Sequence, residues 1–262
     1  SKLLRDKQPF KFGVGSLYST TNIALSSAPV NVFDDHRFRK EFSQQLFESH
    51  VRRKKVIPEV RFNLDEGKYP QIIEQILLRG WRRLAAPMTG VSKLLVQKFY
   101  ANANSDSSGI LRQVANEDQL PYKSFVRGIK TRQATDQRLD EVLADLCILG
   151  ATWRLSSGQP AVLIQLRRTE LYPLAKGWQE FIIHSLNPTG NKSEITIGRA
   201  ILVHSIMRGE EVRTEDIIAV NMAMIAQGLQ SKGNLGFPST IYKLCKDAGV
   251  PLREFRRTSK IV

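Results

Sequence analysis

The chain has 262 residues, enough for one large domain or two small ones, with 42% hydrophobic residues to form a core. Lys and Arg total 39 against 25 Asp and Glu, a net charge of +14 with a pI near 10.0, which points to a polyanionic partner, nucleic acid before a membrane surface. Two cysteines far apart, Cys147 and Cys245, argue against a disulfide framework, and no run reaches the ~20 apolar residues of a membrane span.

In chain order, residues 1–32 are poorly patterned and read as an irregular or mobile arm. Gly13-Val-Gly15 lacks the third glycine and following helix of a dinucleotide fingerprint. Charges and Pro9 interrupt Ser1–Lys11, so no secretory leader is expected there. Asp34 and Asp35 suit the positive end of a helix running to about Val51, with an aromatic side of Phe38, Phe42 and Phe47.

Four consecutive cations follow, Arg52, Arg53, Lys54 and Lys55. Between Arg37 and Arg83 there are 12 basic and 6 acidic residues, so about +6 of the net charge lies in this quarter. Arg61, Arg82 and Arg83 join the run as candidate nucleic-acid contacts. Residues 56–62 are a short extended candidate, which Pro58 limits to a sheet edge. Pro70 at a first turn, the periodic Ile72, Ile73, Ile76 and Leu77, and Gly80 mark a helix over 70–78. Trp81 reads as a core anchor. Val91, Leu94, Leu95 and Phe99 define a helix over 91–103, with Tyr100 at its rim.

Ser105–Gly109 is a polar break, residues 110–121 are ambiguous, and 123–129 suggest a strand and turn. Thr135 caps a helix carrying Leu139, Val142, Leu143 and Leu146 and stopped by Gly150. Residues 161–166 are the best strand, β-branched and apolar. Leu174, Trp178, Phe181 and Ile182 share one side of the next helix, which Asn187–Gly190 ends. Ser193 and Thr214 read as caps of two more helices, and Pro238 starts a last one, stopped by Gly249 and Pro251. The expected fold is therefore mainly α: a compact multi-helix domain over 33–251, with a helical half at about 171–251, a few short strands or hairpins near 56–62, 123–129 and 161–166, and a basic tail over 252–262.

No catalytic constellation stands out. Asp34, Asp35, Asp140, Asp145 and Asp216 fit helix-cap and solvated roles better than the converging carboxylates of a two-metal nuclease. His36, His50, His184 and His204 are scattered and no Cys-x-x-Cys exists, so neither metal nor cofactor is expected. Gly190-Asn-Lys-Ser193 lacks the adjacent Gly-Lys and upstream glycine of a P-loop.

An ordered series of short motifs carries a resemblance. Arg52–Glu59, Gly80-Trp81 with Leu84 and Pro87, Phe99-Tyr-Ala-Asn102 and Val126-Arg-Gly128 come first. Leu174–Trp178, Leu186-Asn-Pro-Thr189, Arg199–Leu202 and Phe237–Val250 follow. Over about 52–251 the chain resembles the putative plant transposon protein domain, a retroelement-derived family of plant genomes distantly similar to Athila-type proteins. It departs from the family pattern after Gly128, where Ile129–Ala134 is basic. The resemblance implies origin rather than mechanism. The expected role is non-enzymatic: binding of nucleic acid, of protein, or of both, in a Gag-like assembly setting, in nucleus or cytoplasm. The alternatives are a metal-dependent strand-transfer or cleavage enzyme, and a domesticated module with a host protein as partner; self-association is a further expected contact.

Overall fold

Proline-initiated turns and glycine stops punctuate the computed structural model, which describes residues 33–62, 69–105, 136–159 and 163–252. The expected arm over 1–32, the strand and turn near 123–129, the Thr135 cap and the tail after Leu252 lie outside the described residues. Nine α-helices are present among the described residues: α1 Glu41–Ser49, α2 Pro70–Leu78, α3 Arg82–Ala85, α4 Lys93–Ser105, α5 Asp136–Leu146, α6 Pro173–Ser185, α7 Ile197–Met207, α8 Thr214–Gln227 and α9 Pro238–Asp247. The domain is mainly α, as expected. Pro70, Pro173 and Pro238 each occupy a first helical position, where proline's missing N–H costs nothing. Gly80, Gly150, Gly209 and Gly249 follow four helices with positive φ, the left-handed conformation that side chains resist.

One small antiparallel sheet accompanies the helices, in the order β1 (Arg154–Leu155), β2 (Leu163–Arg167), β3 (Glu194–Thr196). Leu166 faces Ile195 across β2 and β3, and both are fully buried. The strand expected at 161–166 is thus present, shifted slightly toward the C-terminus. Ser193 does not cap a helix: β3 intervenes, and α7 begins at Ile197. Thr196, not Ser193, is the residue that precedes the helix.

Apolar side chains form two clusters that both touch Ile218 on α8. In one, Trp178, Phe181, Trp81 and Phe62 pack with the apolar faces of α2, α5, α6 and α7. Trp81 lies parallel to Phe181 with centroids 6.0 Å apart, and Phe62 meets Phe181 edge-on at 5.7 Å. The other joins Phe38, Phe47 and Val51 to α4, to the end of α8 and to α9 around Tyr100 and Phe237. Cys147 and Cys245 are buried free thiols.

Several local expectations change. Asp34 does not open α1: its carbonyl accepts from the N–H groups of Arg37 and Phe38, and extended Lys40 separates this turn from the helix. Phe38 and Phe47 pack together at 5.3 Å, whereas Phe42 is exposed, because the helix turns it away from its neighbours. Residues 56–62 form no strand, only an isolated parallel bridge between Val56 and Leu235. Tyr100 is fully buried rather than at a rim, and its hydroxyl donates to the Gly236 carbonyl at 3.1 Å. Thr214 is the first residue of α8, with Arg213 before it, and no side chain caps that end.

Candidate nucleic-acid interface

The seven cations singled out in the sequence divide by what holds their backbone. Val51–Arg53 form a 3₁₀ turn directly after α1. Gln97 on α4 seals it: its Nε2 donates to the carbonyls of Val51, Arg52 and Lys54 at 3.2, 2.8 and 3.1 Å. Beyond the turn the chain straddles Leu235, whose N–H donates to the Lys55 carbonyl at 2.9 Å and whose carbonyl accepts from the Ile57 N–H at 2.7 Å. The basic run is therefore clamped between α4 and the segment leading to α9, not loose.

Within this run the four side chains differ. Arg52 pairs with Glu48 at 2.9 Å, one helical turn back. Lys54 is half-buried, and its ammonium donates to the carbonyls of Ser231 and Gly233, the latter at 2.9 Å. Burial pushes the Lys54 pKa down. Arg53 and Lys55 are exposed.

Arg61, Arg82 and Arg83 form the second group. The Phe62 N–H donates to the Ala85 carbonyl at 2.9 Å, so exposed Arg61 is held next to α3, which carries exposed Arg82 and Arg83. Among the described residues, none of Arg53, Lys55, Arg61, Arg82 and Arg83 forms an ion pair.

The fold adds a cation that sequence reasoning did not reach. Exposed Lys232 lies between Ser231 and Gly233, the two residues whose carbonyls hold Lys54. It is thereby brought to the basic run from 177 positions away, a distance no local signal spans. Beside it lies a cleft of about 250 Å³ lined by Lys54, Asn187, Asn221, Met224, Leu229 and Asn234, among others.

Glu59 ties the two groups to α9. Its carboxylate accepts from the Ser239 N–H in the first turn of that helix, and Thr240 contributes further hydrogen bonds. Those bonds and the positive end of the helix favour the ionised form, but loss of hydration outweighs them and the carboxyl is pushed up to about 7. Ser239 Oγ in turn accepts from the Met88 N–H at 2.9 Å.

Several other titratable groups have structural partners. Asp145 accepts from Nε2 of fully buried His204 at 2.9 Å and from Arg208 at 3.4 Å; Asp216 pairs with Arg213 at 3.1 Å, and Asp34 with Arg37 at 3.3 Å. His204 is thus a core histidine with a carboxylate partner. Burial, with Glu170 nearby, pushes the Cys147 thiol up to about 11, and burial also raises Cys245, so both are poor nucleophiles. Among the described residues no group of three His, Cys, Asp or Glu is placed to hold a metal ion, and no helix is long and apolar enough to cross a membrane.

No curated protein and no solved structure matches the chain. The family model of the putative plant retrotransposon-related domain matches residues 77–251. That span takes in Arg82, Arg83 and Lys232 and leaves the run at 52–55 outside it. It is well over half of the chain, and the chain therefore belongs to the plant retrotransposon-related domain family and is a retroelement-derived plant protein.

Proposed function

We propose that this domain binds nucleic acid without catalysing a reaction on it, in a Gag-like packaging or assembly role. The observation that carries this reading is the set of exposed cations without ion pairs at Arg53, Lys55, Arg61, Arg82 and Arg83. Cations that stabilise a fold are generally paired or covered; cations left facing water at fixed backbone positions suit a phosphate chain, which gains by releasing its counterions. The clamps from Gln97, Leu235 and Ala85 favour this use, because a preorganised surface loses less entropy on binding.

The test is fluorescence anisotropy of labelled RNA and DNA oligonucleotides across a salt series. Phosphate contact predicts affinity that falls steeply as salt rises, with a slope of roughly 0.7–0.9 per phosphate neutralised. Replacing Arg53, Lys55, Arg82 and Arg83 by Ala should flatten the slope by about 3. Absence of binding to either nucleic acid at low salt would refute the reading.

A further inference from the structure

The cleft beside the basic run has features that a simple phosphate-binding surface does not need. Its wall on α8 presents Asn221, Met224, Ile225 and Gly228, which recur at i, i+3, i+4 and i+7 and so share one face of the helix. The opposite side comes from the turn at Asn187 and Pro188 and from residues between 229 and 235. Buried Leu229 and Leu235 also line it, and Met224 is 64% exposed at its edge. On that side the turn and the segment leading to α9 pack closely, since a Cβ on Gly236 would lie 3.0 Å from the Pro188 side chain.

Its polar groups are partly committed and partly left over. Asn187 Oδ1 accepts from Arg199 at 3.1 Å, which leaves the Asn187 amide N–H groups to donate. Asn221 Nδ2 donates to the Leu186 carbonyl at 3.0 Å, which leaves Asn221 Oδ1 to accept. Exposed Asn234 makes no hydrogen bond through its side chain among the described residues and can do both. Amide donors and acceptors beside an apolar wall match the edge and face of a heterocyclic base. At about 250 Å³ the cleft falls below the roughly 300–1,000 Å³ of drug-sized ligand sites, which suits one ring system with its sugar and phosphate left outside. Exposed Arg53 and Lys55 flank the lining residue Lys54 in the chain, and exposed Lys232 lies between the lining residues Ser231 and Gly233.

We propose that this cleft takes one unpaired nucleobase of a single-stranded nucleic acid, with the flanking phosphates on Arg53, Lys55 and Lys232. The base lies against Met224 and Ile225, and its edge is read by Asn187, Asn221 and Asn234. This rests on the nucleic-acid reading above and adds to it a preference for unpaired bases. A duplex, whose bases are stacked and paired, cannot fill the site.

The test compares a single-stranded oligonucleotide with a wholly abasic one of the same length and charge, in RNA and DNA form. The base-containing strand should bind about tenfold more tightly at equal salt. The two salt slopes should be the same, because the phosphate contacts are shared. The N234A variant, at an exposed position, should narrow that difference while leaving the slope alone. A strand carrying a photoreactive 4-thio base should crosslink to the peptides containing Met224 and Asn234. Equal binding of both strands, or crosslinks confined to other peptides, would overturn the base site and leave phosphate binding standing. Failure of both strands to bind at low salt would overturn the nucleic-acid reading as a whole.

Discussion

The Glu59 carboxylate accepts a hydrogen bond from the Ser239 N–H and so caps a helix 180 positions further along the chain. Residues 237–239 make few other claims on this end of α9: Phe237 is a buried residue with φ +61, and no side chain of its own caps the helix. The segment that carries the basic run thus ends on the same helix whose preceding segment it bridges at Leu235.

This contact predicts a pH-dependent stability. The folded pKa of Glu59, about 7, lies above its ordinary value of 4.5. The folded state therefore holds the proton more tightly, and that contribution is present below about 4.5 and lost as pH rises through 7. Urea unfolding at pH 5 and pH 8 should show the wild type losing about 2–3 kcal/mol over this interval relative to E59Q, whose amide does not titrate. Equal pH dependence in the two proteins would contradict the assignment.

Neighbouring lysines should behave in opposite ways. Lys54 is bonded to two carbonyls across the fold, so K54A should lower stability by about 1–2 kcal/mol. Lys55 is exposed and without an ion pair, so K55A should change stability by less than about 0.5 kcal/mol while weakening oligonucleotide binding. Denaturant melts and anisotropy titrations of both variants separate these roles.

Gly177 lies inside α6, where alanine would ordinarily gain about 1 kcal/mol of helix propensity. A Cβ here would lie 2.6 Å from Ile72 Cδ1 and 2.9 Å from the Tyr69 ring. Ile72 is fully buried and has little room to move. The overpacking should win, and G177A should destabilise the protein by a net of about 1–2 kcal/mol, read as a lowered denaturation midpoint.

Tyr100 donates its hydroxyl to the Gly236 carbonyl from a fully buried position, and burial with Glu59 nearby raises its pKa well above the usual phenol value. Y100F leaves the ring packed and removes that bond, and should lower stability by about 1 kcal/mol. Because the hydroxyl stays protonated, the loss should be the same at pH 7 and pH 9, measured by urea unfolding.

The helices with proline at the first turn were legible because the signal is local. Pro70, Ile72, Ile76 and Gly80 lie within eleven residues and act through backbone geometry and a single apolar face. The aromatic core of Trp81, Trp178 and Phe181 was legible for a related reason, since large apolar rings between punctuated helices have nowhere else to go. The basic character of residues 52–83 also needed only the sequence.

What the chain does with those charges was decided by tertiary structure. Lys54 reads like its neighbours, yet carbonyls from residues 231 and 233 take its ammonium. Tyr100 reads as a rim residue until Gly236 meets it. Ser193 reads as a cap until β3 begins at the next residue and the Ser193 carbonyl accepts from the Arg168 N–H. Lys232, Asn221 and Asn234 carry no pattern at all. Periodicity and capping report on neighbours along the chain, over about one or two helical turns. Contacts between residues far apart in sequence, such as the one that takes the Lys54 ammonium, form only when the helices pack into the two apolar clusters that meet at Ile218.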